Sequence, residues 1–212
     1  MEEMEVCFLM DRFGYMKLID KNAYERNKEA VHNENKYVFN CMNTDKICIF
    51  TDTGKMHTIK AVDIPLGRFR DKGTPVDNLS NYDSSQERML YVAPVGQLRS
   101  DRLLFVTKTS MCKLVEGAEF DVAKRTIAST KLADEDELIF IGSASEMEQI
   151  VLQSHGGCFL RFLTQEVSTM KKTALGVRGM KLADDDYLEH AYLLAGHQEY
   201  TISYHDKEYA LN

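Results

Sequence analysis

KLADEDEL at residues 131–138 returns fifty positions later as KLADDDYL at residues 181–188, with six of the eight residues identical. Recurrence at that offset in a 212-residue chain marks repeated structural units. A period of about 40–50 residues is the length of one propeller blade, four short strands long.

Strand-like segments recur in the same order. VCFLM (6–10) and YMKLI (15–19) flank a turn at 11–14. ICIFT (47–51) and KMHTI (55–59), LLFVT (103–107) and MCKLV (111–115), and IVLQS (150–154) and CFLRF (158–162) repeat that hairpin grammar. A last hairpin sets YTISY (200–204) against EYALN (208–212) across a turn near Asp206. Gly14, Gly54 and Gly157 hold one turn position, and Ser110 stands there in the remaining hairpin. Glycine reaches the positive φ of a tight turn at little steric cost.

Each hairpin is followed by a second recurring half. GTPVDNL (73–79), TIASTKL (126–132) and GVRGMKL (176–182) share one slot, read as a third strand. Acidic turns at 134–137 and 184–186 then lead into a fourth strand: LIFIG (138–142) and YLEHAYLLA (187–195), matched by MLYVA (89–93) after Glu87. The expected fold is all-β, a propeller-like ring of about four to five four-stranded blades. The units fall near residues 5–45, 46–100, 101–149 and 150–199, with a terminal hairpin at 200–212 and the whole forming a single domain.

Composition narrows the class. Hydrophobic residues make up 44% of the chain, enough for a core. No run of about 18 apolar residues exists, so no membrane contact is expected. MEEMEV at the N-terminus is acidic, with no apolar stretch resembling a signal peptide. Cys7, Cys41, Cys48, Cys112 and Cys158 are odd in number and form no C-x-x-C, which reads as reduced core thiols of a cytoplasmic protein. The histidines show no metal-binding spacing, and the acidic turns lack the alternating ligands of a calcium loop. Nucleophile-elbow, P-loop and dinucleotide-binding motifs are all missing. No catalytic residue, cofactor site or metal site is expected.

The net charge of −7 argues against a uniformly basic surface but leaves room for a basic strip. Cations cluster ahead of the third strand in each unit: Arg26 and Lys28; Arg68, Arg70 and Lys72; Lys124 and Arg125; Lys171 and Lys172. Three places beyond the turn residue stand Lys17, His57 and Lys113, with Leu160 and then Arg161 in the fourth unit. Equivalent positions in a radial repeat share a circumference, so one cluster per blade would draw a basic track.

FLMDRFGYMK (8–17), FTDTGKMHTIKAVDIPLGRFRDKGTPVDNL (50–79) and, above all, TALGVRGMKLADDD (173–186) resemble the C-terminal domain of the A subunit of bacterial type IIA DNA topoisomerases, gyrase and topoisomerase IV. The resemblance runs over roughly residues 5–212. It implies a β-pinwheel, in which neighbouring blades exchange strands. It implies a bacterial, chromosome-associated domain that binds duplex DNA without sequence preference along a basic outer rim, and bends it for strand passage. The partners implied are DNA, the B subunit, plus the rest of the A subunit. The parent's ATP and Mg²⁺ would be held by other domains or subunits, and its catalytic tyrosine by an upstream domain. The residues implied to contact DNA are Lys17, Arg26, Lys28, Arg68, Arg70, Lys72, Lys113, Lys124, Arg125, Arg161, Lys171, Lys172 and Arg178. The glutamine–arginine–glycine-rich box of gyrase A subunits has no counterpart in KNAYERNKEAVHNENK (21–36), so full gyrase-like wrapping is not implied. The acidic balance supports a rival reading, a protein-interaction propeller that docks the catalytic core or another partner with little DNA contact.

Overall fold

A computed structural model describes residues 1–196, 200–205 and 207–211. In chain order, β1 (Glu5–Met10) and β2 (Tyr15–Ile19) form the first hairpin, followed by α1 (Lys21–Arg26), α2 (Lys28–Glu34) and β3 (Tyr37–Met42). Next come β4 (Lys46–Thr51), β5 (Lys55–Lys60), β6 (Thr74–Pro75), α3 (Val76–Leu79), β7 (Met89–Pro94) and α4 (Val95–Leu98). The third unit holds β8 (Arg102–Thr107), β9 (Met111–Glu116), β10 (Thr126–Ala128) and β11 (Leu138–Ser143). The fourth holds β12 (Gln149–Ser154), β13 (Phe159–Leu163), β14 (Val177–Arg178) and β15 (Leu188–Leu194), and β16 (Tyr200–Tyr204) pairs with β17 (Lys207–Leu211). Asp206, the centre expected for that last turn, lies outside the described residues.

Sheet order departs from chain order in a regular way. The sheets run β3-β1-β2-β6, β7-β4-β5-β10, β11-β8-β9-β14 and β15-β12-β13. The outer strand of each of the first three sheets therefore comes from the following unit. β3, β7, β11 and β15 hold the opposite edge, and neighbours in that series pack against one another, which makes theirs the inner edge. Their ends surround a cavity of about 550 Å³ lined by Met10, Tyr37, Met89, Ile139 and His190 among others. The fold is a strand-exchanged β-pinwheel.

The central hairpin strands are buried on both faces, so the usual in–out alternation becomes alternation between two cores. In β1, Val6, Phe8 and Met10 enter the core shared with the second sheet, whereas Cys7 and Leu9 face the other way. In β4, Ile47 and Ile49 join that first core and Cys48 and Phe50 the next. β8 divides likewise, Leu103 and Phe105 to one side and Leu104 and Val106 to the other. Each fully buried side chain of this kind contributes about 1.5–3 kcal/mol, so sheet-to-sheet packing dominates cohesion. Cys7, Cys41, Cys48 and Cys112 are buried free thiols; Cys158, read as a core residue from sequence, is exposed.

The structure corrects the third-strand slot twice. GTPVDNL yields a two-residue strand and then helix α3, and GVRGMKL contributes only Val177–Arg178. In the first unit the slot holds α1 and α2 instead. Helices of six and seven residues are too short to persist on propensity alone. Ala23 and Val31 anchor them against Cys7, Leu9, Ile19 and Phe69, on the face of the first sheet turned away from the second. The Asp20 carboxylate accepts the Ala23 N–H at 2.7 Å and caps α1.

Candidate nucleic-acid interface

The four turn residues expected to need positive φ all have it: Gly14 at 84°, Gly54 at 77°, Ser110 at 75° and Gly157 at 89°. Ser110 keeps this conformation while its buried Oγ accepts the Met180 N–H at 2.7 Å. The acidic turns hold the hairpin tips. Asp136 accepts from the Thr109 N–H at 3.1 Å and the Thr109 hydroxyl at 2.6 Å, and Asp186 accepts from the Gly156 N–H at 2.8 Å. In the second unit Glu87 takes this role, accepting from Thr51 Oγ1 at 2.8 Å and Thr53 Oγ1 at 3.1 Å.

The exchange loops present most of the cations nominated from sequence. Arg68, Arg70 and Lys72 are exposed on the loop that enters β6, at the outer edge of the first sheet. Lys124 and Arg125 are exposed where the chain enters β10 at the edge of the second sheet, with the Arg125 guanidinium donating to the Leu79 carbonyl at 3.1 Å. Lys171 and Arg178 are exposed around β14, on the third sheet. Arg161 is exposed on β13, the outer strand of the fourth sheet, and its Nε donates to Gln149. Arg26 and Lys28 are exposed too, but on the helices rather than ahead of a third strand.

Three nominated cations face inward. Lys113 is 1% exposed, and its Nζ donates to the carbonyls of Lys171, Lys172 and Ala174 at 3.3, 3.0 and 2.6 Å. Burial pushes its pKa down from 10.5 to about 8. It is a framework residue, out of reach of any phosphate. Lys17, its counterpart in β2, donates to the carbonyls of Phe69 and Asp71, and desolvation lowers its pKa despite the nearby Glu34, Asp71 and Asp11 carboxylates. Lys172 is half-buried beside Glu119, with 3.9 Å between charges.

The third member of the Lys17 series, His57, is buried. Its Nδ1 is 2.9 Å from Thr126 Oγ1 in the exchanged strand β10, and its Nε2 is 3.0 Å from Glu87. The recurrence at this position is plain in the sequence, but in the first three units the line it draws turns into the fold and is no surface track, whereas Leu160 and Arg161 in the fourth are exposed. The signal for burial is each residue's setting inside an apolar strand, YMKLI, KMHTI or MCKLV.

The pinwheel fold, with its exchanged outer strands and basic exchange loops, defines the class of module found at the C-terminus of type IIA topoisomerase A subunits. The profile of the family described as "DNA gyrase C-terminal domain, beta-propeller" matches residues 45–84, 101–145 and 148–195. The chain belongs to that family. The DNA gyrase A subunit of Lawsonia intracellularis (strain PHE/MN1-00) is 25% identical over 207 residues, covering 92% of this chain and 25% of that protein. The DNA gyrase A subunit of Salmonella typhimurium (strain LT2) is 31% identical over 144 residues, covering 67% of this chain and 16% of that protein. The chain thus spans a quarter or less of the length of these relatives. Among solved structures, the C-terminal domain of DNA topoisomerase IV superposes with a TM-score of 0.82 at 22% identity, over 93% of this chain and 64% of that one. The E. coli ParC C-terminal domain gives 0.75 at 12% identity, over 98% of this chain and 86% of that one. These two likenesses are of fold.

Proposed function

We propose that this domain is a non-catalytic, DNA-binding and DNA-bending module of a bacterial type II topoisomerase A subunit, holding duplex DNA on its outer rim for strand passage. The observation that carries the reading is the recurrence of exposed cations at the exchanged edge of successive sheets: Arg68, Arg70 and Lys72, then Lys124 and Arg125, then Lys171 and Arg178. Lys and Arg on phosphates give affinity without sequence choice, and a curved array of them offsets the elastic cost of bending the duplex. In the parent enzyme of the bacterial cytoplasm, the chemistry, ATP and Mg²⁺ would belong to other domains and to the B subunit.

A gel-shift titration at two salt concentrations tests the reading. With about four to eight phosphates contacted, log K falls with log[salt] at a slope of about −4 to −7. Replacing Arg68, Arg70 and Lys72 by Ala makes that slope shallower by about 3, equally for unrelated sequences. Absence of binding at low salt overturns the proposal.

One observation favours a protein-docking propeller instead. Several cations are already paired with acids: Lys46 and Arg99 with Asp121 at 3.2 and 2.9 Å, and Lys108 with Glu137 at 3.6 Å. Retention of the catalytic core by the domain, together with failure to shift DNA, would select that reading.

A further inference from the structure

The exchange loops into β6 and β14 repeat each other contact by contact. Leu18 N–H donates to the Pro65 carbonyl and Gly67 N–H returns to the Leu18 carbonyl; Leu114 N–H donates to Ser168 and Met170 N–H returns to Leu114. Each loop then closes one turn, Asp71 N–H to the Arg68 carbonyl at 3.1 Å and Ala174 N–H to the Lys171 carbonyl at 3.0 Å. Inside each turn sits one ammonium. Lys17 takes the carbonyls of Phe69 and Asp71, and Lys113 those of Lys172 and Ala174 together with Lys171.

Holding those carbonyls seats the Phe69 ring in the fold and leaves the residues around it outside, the Asp71 side chain included. Phe69 is 5% exposed, with the Lys17 ammonium 5.2 Å from its ring centroid, while Arg68, Arg70 and Lys72 on either side are exposed. In the second loop Lys172 occupies the Phe69 place and turns in toward Glu119, leaving Lys171 exposed in the Arg68 place.

We propose that Lys17 and Lys113 are positioning residues for the DNA rim: they touch no phosphate, and by holding the loop carbonyls they fix the outward aim of the neighbouring cations. A flexible basic loop would have to be ordered on binding, and the two lysines order its backbone in advance. The role in DNA binding rests on the function proposed above; the ordering of the loops does not.

The experiment compares the unsubstituted domain with Lys17→Met, Lys17→Arg and Lys113→Met. Hydrogen exchange without DNA is read at Asp71 and Ala174, and duplex binding at two salt concentrations. Lys17→Met is expected to speed exchange at Asp71 at least tenfold and weaken binding about three- to tenfold, with the salt slope unchanged within about 0.3. A lost phosphate contact would instead lower the slope by about 0.9. Lys17→Arg restores both readouts, and Lys17→Met added to the Arg68, Arg70 and Lys72 triple alanine costs no further affinity. If Lys113→Met does not fold, the Lys17 series decides. Unchanged exchange at Asp71 overturns the clasp, as does a slope change of a full contact. Faster exchange with unchanged affinity overturns the positioning role. An unsubstituted domain that shifts no DNA overturns the DNA reading and that role together, with the exchange data still reporting on the loops.

Discussion

His57 Nε2 lies 3.0 Å from both carboxylate oxygens of Glu87, in a site where the two residues are 2% and 7% exposed. The same carboxylate accepts from Thr51, Thr53 and the Asp83 N–H, so one acid ties together a hairpin tip, an acidic turn and, through His57 and Thr126, a strand from the next unit. Removing one partner of a buried pair strands the donors left behind. Glu87→Ala is expected to cost about 3 kcal/mol, read as a lowered urea midpoint at unchanged m-value.

That carboxylate also sets an acid limit. Burial opposes its charge, but hydrogen bonds from His57, the Asp83 N–H and Thr51 prevail and hold its pKa below the ordinary 4.5. A depressed folded-state pKa contributes stability that is complete above 4.5 and is lost as pH falls through the folded value. Stability of the unsubstituted domain should therefore fall steeply below about pH 4.5, and Glu87→Gln should flatten the fall. Equal slopes for the two proteins would contradict the assignment.

Lys113 predicts a second rise of stability with pH, at the alkaline end. Its pKa is lowered from 10.5 to about 8, so between those values the unfolded chain binds the extra proton. Stability from this group rises with pH across that window and is lowest below about 8. Urea titrations from about pH 7.5 to about pH 10.5 should show the rise, and Lys113→Met should remove it. A flat profile for the unsubstituted domain would refute the buried ammonium.

The close approach of exchanged strands rests on two glycines. Gly73, at φ 86°, leaves no room for a Cβ, which would lie 2.6 Å from the Met16 carbonyl oxygen; at Gly176, φ 99°, it would lie 2.8 Å from that of Cys112. Alanine at either site forces a main-chain shift as well as a disfavoured φ, at a combined cost of about 2–3 kcal/mol. Thermal melts of Gly73→Ala and Gly176→Ala, each with a lowered Tm, check this.

Ser110 separates two contributions at one site. Ser110→Ala keeps the strained φ of 75° and deprives the Met180 N–H of the acceptor it has at 2.7 Å in the native turn. Ser110→Gly loses the same hydrogen bond but relieves about 1 kcal/mol of left-handed strain. The expected order of stability is Ser, then Gly, then Ala, measured by denaturant midpoints.

The hairpins are legible in sequence because their signals are local: an apolar strand, a positive-φ residue at the turn and a second apolar strand. The exchanged strands are legible only as a recurring slot. Two or three residues such as Thr74–Pro75 carry no alternation, and no local pattern tells which sheet they join. Helices α1 and α2 escape detection because Ala23 and Val31 are the buried residues in an otherwise polar stretch, too sparse for a periodic face. Lys17 and Lys113 stand out by equivalence, yet equivalence does not place them inside. Charge alone does not say which way an ammonium faces; the carbonyls that receive it come from far along the chain, as between Lys17 and Asp71 at a separation of 54.

Strand exchange also removes modularity. Val177 pairs with Cys112, which puts Gly176 opposite Lys113, whereas in the preceding sheet Thr126 stands opposite His57. Excising one whole period in phase would lay β14 on β5 and set a glycine before an imidazole that needs a hydroxyl. The blades are therefore keyed to their neighbours, and their order round the axis is written in these facing pairs.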